Sequence, residues 1–80
     1  MVRKTTKYFE VVMQRPDRAR IEMAWIERVV ESPERTETQK DGRIRKWAAI
    51  PEMGDRYLRV ILLEDGETLH NAFFDRGFKP

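Results

Sequence analysis

The sequence predicts an α+β domain, with one helix packed on a three- to five-stranded, mainly antiparallel sheet. Three observations carry this. Asp65-Gly66 sits between two runs of strand formers, residues 57–64 and 68–74, which is the pattern of a β-hairpin closed by a type I′ turn. A second Asp-Gly pair, Asp41-Gly42, leads into another strand-like run at residues 44–50. Apolar residues recur at helical spacing between residues 18 and 31.

The totals bound what this domain does. With 80 residues the chain is a single domain, residues 1–80, and a domain of that size buries roughly 60% of its unfolded surface. Charged residues make up 38% and hydrophobic residues 40%, too apolar for a disordered chain. There is no cysteine and one histidine, which excludes disulfides, thiolate metal sites and thiol catalysis and argues against zinc; no metal and no cofactor is expected. No apolar run reaches membrane-spanning length, so no membrane partner is expected and the cytoplasm is the expected compartment. The formal charge of +2 is compatible with a nucleic-acid partner without requiring one.

Taken in order, residues 1–6 form a basic lead without periodicity, expected to be loose. Residues 7–14 alternate, with Phe9, Val11 and Met13 on one side and Tyr8, Val12 and Gln14 on the other, and so predict a strand. Pro16 ends it, and Asp17 offers an N-cap. A helix follows over residues 18–31. Its apolar stripe is Ala19, Met23, Ile26 and Val30, flanked by Trp25 and Val29. Arg20, Ile21, Ala24, Glu27, Arg28 and Glu31 fall on the solvent side, with Glu22 at the rim. Ser32-Pro33 closes the helix, because the residue before proline is pushed out of the α region.

Residues 34–39 read as a short solvated edge strand, residues 44–50 as a further strand, and residues 51–55 as a loop. A two-residue loop at Asp65-Gly66 puts Glu64 opposite Glu67, Leu63 opposite Thr68, Leu62 opposite Leu69, Ile61 opposite His70, Val60 opposite Asn71, Arg59 opposite Ala72, Leu58 opposite Phe73 and Tyr57 opposite Phe74. Leu58, Val60, Leu62, Leu69 and Phe73 then face the core, with Asn71 the odd polar member. Tyr57, Arg59, Ile61, His70, Ala72 and Phe74 share the face without a helix. Pairing Ile50 with Tyr57 sends Trp47 into the core beside Val60 and brings Lys46 into a row with Ile61 and His70. A slip of one residue reverses Trp47 and Lys46.

The open face carries the chemistry. His70 can transfer a proton near neutral pH. Arg59 and Lys46 can hold a phosphate, and Tyr57 can stack a base or assist. These four are the candidate catalytic residues for metal-independent RNA cleavage by the substrate's own 2′-hydroxyl. Arg43, Arg45, Phe74, Arg76 and Lys79 are the candidate RNA contacts.

Three stretches carry a family likeness. They are residues 25–34 with the following Asp41-Gly42-Arg43, then residues 56–63, and then the run from Asp65 to Phe74. Together they resemble a widespread family of small bacterial proteins of unknown function, related in fold to RelE/ParE and BrnT-type toxins. The resemblance spans about residues 16–79. It implies a helix-plus-antiparallel-sheet fold, endoribonuclease activity, and a small antitoxin-like protein as partner. Toxins of this group carry basic and His or Tyr residues on the sheet face away from the helices, where Lys46, Arg59 and His70 would match. They usually begin with two helices, where this sequence predicts one, and their basic clusters are usually heavier. The expected function is a toxin-like RNA-binding module acting as an endoribonuclease. The alternative is a non-enzymatic interaction module or homodimer that uses exposed Tyr57, Ile61, Ala72 and Phe74 or a free strand edge.

Overall fold

A computed structural model describes residues 3–80. Its elements, in chain order, are helix α1 (Lys7–Val12), helix α2 (Met23–Glu31), strands β1 (Arg35–Thr38) and β2 (Ile44–Ile50), a 3-10 turn at Pro51–Met53, and strands β3 (Arg56–Leu62) and β4 (Leu69–Phe74). The strands form one antiparallel sheet in the order β1-β2-β3-β4. The α+β class is as expected, but two helices lie on the sheet rather than one.

The second helix is α1, where the alternation of residues 7–14 predicts a strand. Phe9, Val12 and Met13 also stand at i, i+3 and i+4, and the helix is the form that caps. Thr6 Oγ1 accepts from the Phe9 N–H at 3.0 Å, a cap contributing about 0.5–2 kcal/mol. Phe9 and Val12, which a strand would place on opposite sides, are both buried, and Val11 is 68% exposed. The lead before it is tied down as well. Leu69 N–H donates to the Lys4 carbonyl at 2.8 Å, Thr6 N–H donates to the Leu69 carbonyl at 3.0 Å, and Arg3 pairs with Glu27. Residues 3–6, expected to be loose, thus make contacts with both α2 and β4. Met1 and Val2 lie outside the described residues.

Helix α2 starts later than its apolar spacing predicts. Residues 15–21 form turns instead, with Ala19 N–H on the Arg15 carbonyl and Ile21 N–H on the Arg18 carbonyl. Glu22, not Asp17, holds the N-cap position. The turns tuck Ile21 into the core and carry Arg18 to β4, which a regular helix from residue 18 would not do. The buried stripe is Trp25, Ile26, Val29 and Val30, with Ala19 and Met23 exposed. The helix ends at Ser32-Pro33 as expected. Arg28 and Glu52 join it to the 3-10 turn by paired hydrogen bonds of 3.0 and 2.9 Å.

α1 packs on β4, and α2 on β2 and β3. Between helices and sheet lies one core of Phe9, Ile21, Trp25, Ile26, Val29 and Val30 against Ala48, Ile50, Leu58, Val60, Leu62, Leu69 and Ala72. β1 is exposed along its length, as the polar run predicts. Among the described residues no helix is long and apolar enough to cross a membrane.

Both strand registers differ from expectation by one residue, and each difference has a cause. In the hairpin, Leu63 pairs with Thr68 and Leu62 with Leu69 as expected. The turn is not type I′, because only Gly66, at φ 70°, is left-handed in it. Gly66 N–H reaches the Leu63 carbonyl, and the Asp65 carboxylate caps the N–H groups of Glu67 and Thr68. A β-bulge then leaves His70 unpaired, so Ile61 pairs with Asn71, Val60 with Ala72, Arg59 with Phe73 and Leu58 with Phe74. Ala72 is thereby buried at 0% exposure, Phe74 packs against the core, and Asn71 and Phe73 leave it. This one slip removes a buried amide and supplies a core methyl.

Between β2 and β3, Ile50 pairs with Arg56 rather than Tyr57. Trp47 therefore lies opposite Arg59 on the face away from the helices, and Lys46 lies opposite Val60 on the helix side. Lys46 tolerates this by lying along the core rim and donating from Nζ to the Val30 carbonyl, 2.9 Å away at the end of α2. Trp47 tolerates it because the residues after β4 fold back over it.

Candidate nucleic-acid interface

The face away from the helices alternates arginine with aromatic side chains. β2 contributes Arg45 and Trp47, with Arg43 just before the strand; β3 contributes Tyr57, Arg59 and Ile61; β4 contributes Asn71 and Phe73. The Arg59 guanidinium lies between two rings, 5.4 Å from the Trp47 centroid and 5.2 Å from that of Phe73. Arg45 stands 5.9 Å from Trp47. From the turn before α2, Arg18 reaches round the β4 edge. It stacks over Phe73 at 5.1 Å and donates to Asn71 Oδ1 at 2.7 Å. Each such stack is worth about 0.5–1 kcal/mol where exposed and more where desolvated.

The segment after β4 closes one end of this face. Phe78 stacks on Trp47 with centroids 5.0 Å apart and meets Tyr57 at 4.8 Å. Arg35 covers Phe78 at 4.8 Å. Asp75 anchors the segment, accepting from Trp47 Nε1 at 3.0 Å, from the Gly77 N–H at 3.0 Å and from Arg59 at 3.5 Å. Burial works against its charge, but these donors hold the Asp75 carboxyl below its ordinary range. Trp47 is left 4% exposed. The strongest cationic feature is what remains unsatisfied. The Nε groups of Arg45 and Arg59 are buried and, among the described residues, have no hydrogen-bond acceptor. A buried donor without a partner costs about 1–3 kcal/mol, and more when charged, so Arg45 and Arg59 each hold a donor that Glu37 and Asp75 leave unused.

The four candidate catalytic residues do not meet. Arg59 and Tyr57 are on this face as expected. Lys46 is on the helix side. His70 sits at the bulge, with Nδ1 3.1 Å from Thr6 Oγ1 and its ring stacked on Tyr8 at 4.9 Å. Burial pushes the imidazole below its ordinary value, and the Arg43 charge adds to this against a smaller opposing effect of Asp41. The Tyr57 hydroxyl donates to Glu34 Oε1 at 3.1 Å. Burial raises its pKa, with Glu34 and Asp55 adding to the rise.

Of the candidate RNA contacts, Arg45 lies on the arginine face and also reaches Glu37 at 3.8 Å, while Arg43 directly precedes β2 and pairs with Asp41 at 3.7 Å. Phe74 lies on the helix side beneath the Arg56 guanidinium, 4.8 Å away, and edge-on to Trp25. Arg76 and Lys79 are exposed beyond β4. The protein-contact patch expected from Tyr57, Ile61, Ala72 and Phe74 does not form, because the bulge turns the last two inward. The sequence reading missed Trp47, Phe73, Phe78, Arg18 and Asp75 as members of the site. The available signal was Phe78, an aromatic residue set among Arg76, Gly77 and Lys79, where only a docked tail gives it apolar cover.

Among the described residues no cluster of histidine, aspartate or glutamate could hold a metal ion. Comparison with protein-family models, with curated proteins and with solved structures returns no match.

Proposed function

We propose that this chain is a toxin-like RNA-binding module whose contact surface is the arginine–aromatic sheet face. The observation that carries this is the run of arginines interleaved with rings on one sheet face, Arg45 and Arg59 with Arg18 at its edge, a composition suited to phosphates and unpaired bases. Phosphate is the acceptor that suits a guanidinium fork. The two N-terminal helices before a four-stranded sheet also agree with the toxin resemblance. A small antitoxin-like protein covering the same face is the partner this reading implies.

The test is a titration of labelled single-stranded RNA at several salt concentrations. Binding that weakens steeply with salt and is lost in an Arg43→Glu, Arg45→Glu double variant supports the reading. Salt-independent binding, or none, rejects it.

Cleavage is a separate question within the same reading. His70 is the one histidine, its lowered pKa favours the neutral, proton-accepting form, and Arg43 is the cation whose charge reaches it. RNA incubated in chelator with wild type and with His70→Ala decides the matter. Cuts that vanish in the variant make it an endoribonuclease. Intact RNA with both proteins leaves a binding module only.

One observation favours a second reading, an interaction module or homodimer. β1 is fully exposed, and its outer edge has no strand neighbour among the described residues. Its Arg35 and Glu37 side chains blunt that edge, which is why the RNA reading comes first. Sedimentation that finds a dimer, lost in a Thr36→Pro variant, would reverse the order.

A further inference from the structure

A cleft of about 270 Å³ opens where β3 begins and β4 ends, lined by Arg56, Tyr57, Phe74, Asp75, Arg76 and Phe78. It joins the arginine–aromatic face through Tyr57 and Phe78 and reaches past the sheet end to Phe74 on the helix side. Its two cations are free of acidic partners among the described residues, as is Arg35 over Phe78. Arg3, Arg18, Arg28, Arg43, Arg45 and Arg59 each lie within 4.0 Å of a carboxylate. Among the described residues, Arg56 and Arg76 make no ion pair, and both are exposed. The one acid in the lining, Asp75, is already engaged by Trp47, Gly77 and Arg59, so it does not neutralise them.

The rest of the lining is aromatic. Phe74 carries the Arg56 guanidinium at 4.8 Å, and Tyr57 and Phe78 meet at 4.8 Å with planes at 45°, leaving an angled wall rather than a closed stack. Tyr57 presents a neutral ring, and burial with Glu34 beside its hydroxyl raises its pKa further. Two unneutralised guanidinium groups beside aromatic faces suit a ligand with a phosphate next to a planar ring. Ligand pockets of drug-sized molecules run from about 300 Å³ upward, so this cleft takes one nucleotide unit and not a run of several.

We infer that the cleft binds a single nucleotide, its phosphate between Arg56 and Arg76 and its base along the angled edge where Tyr57 meets Phe78. The inference takes its ligand class from the RNA-binding reading and gives that surface a defined end. A free mononucleotide and the 5′-phosphorylated end of an RNA strand present the same chemistry.

The experiment is a titration of the isotopically labelled full chain with 5′-AMP, adenosine and inorganic phosphate, followed by amide shifts. AMP should move the amides of Arg56, Tyr57, Arg76 and Phe78 and bind about tenfold or more tighter than adenosine or phosphate alone. Arg76→Ala, which removes an exposed side chain with no ion pair, should weaken AMP binding by about tenfold while leaving the spectrum folded. Arg56→Ala should act likewise. No movement of these amides at millimolar AMP, or equal affinity in a folded Arg56→Ala, Arg76→Ala double variant, overturns the inference.

Single-stranded RNA with a 5′-phosphate or a 5′-hydroxyl separates the sources. A preference for the phosphate that the double variant loses assigns the cleft to strand ends. Equal binding of both strands, with AMP still bound, assigns it to a free nucleotide. If RNA binds through Arg43 and Arg45 undiminished in the double variant and AMP does not bind, the cleft inference falls and the RNA reading stands. If AMP binds and RNA does not, the reverse holds.

Discussion

The rings of Trp47 and Phe78 lie 5.0 Å apart with planes 19° from parallel. A strand tryptophan pointing away from the helices is thereby as buried as a core residue. Phe78→Ala should uncover it. Tryptophan emission should shift to the red, with Trp25 remaining buried, and stability should fall by about 1–2 kcal/mol in urea titration. Unchanged emission would mean that residues 75–78 do not rest on the sheet.

Lys46 and Arg45 are neighbours in sequence on opposite faces. Lys46→Ala should cost about 1–2 kcal/mol of stability, through the lost bond to the Val30 carbonyl and the lost stem packing, and leave RNA affinity untouched. Arg45→Ala should weaken RNA binding and reduce the dependence of log affinity on log salt by about one contact. Equal effects of the two on affinity would contradict the β2–β3 register.

The bulge at His70 is tested by its neighbours. Ala72→Glu places a carboxylate against the core at a fully buried position and should destabilise by more than about 3 kcal/mol. Asn71→Ala loses a side-chain bond to Arg18 and should cost about 1 kcal/mol. Thermal unfolding of both variants ranks them, and the opposite ranking restores the unbulged hairpin.

Both register differences were partly legible. The unbulged hairpin buries Asn71 and exposes Ala72, and that discord is the signature of a slip. What hid the bulge is its cause, since the bulged strand is held at Leu69 and His70 by Lys4, Thr5 and Thr6 from the other end of the chain. For Trp47, requiring the largest side chain to be buried is sound. It misleads here because the tail supplies a second buried place. Residues 7–14 carry both periodicities at once, and only the Thr6 cap separates them. The strands at residues 44–50 and after residue 55, the helix stop at Ser32-Pro33 and the solvated edge at β1 were legible because each rests on local chemistry. The arginines of the site were visible in the sequence. Their shared face depends on register, and so it was not.

Asp65 sets an acid limit on the hairpin. Its carboxylate accepts from the Thr68 side chain and from the N–H groups of Thr68 and Glu67, which together pull its pKa from 3.8 to about 2. The folded value is depressed, so the stabilisation is complete above the ordinary value and lost as pH falls through the folded one. Asp65→Ala should lower the thermal midpoint at pH 7, and the gap from wild type should close between pH 4 and pH 2, on the order of the carboxylate range. A gap that stays constant with pH would remove the carboxylate from the turn.

The bond between Thr6 and His70 spans 64 residues. Synthesis runs from the Thr6 side, so the α1 residues are made well before Leu69 and His70. Until then Phe9 and Val12 have no β4 to rest on. The contacts that seat α1 are thus the most distant in sequence, and closing that long loop sets the pace of folding.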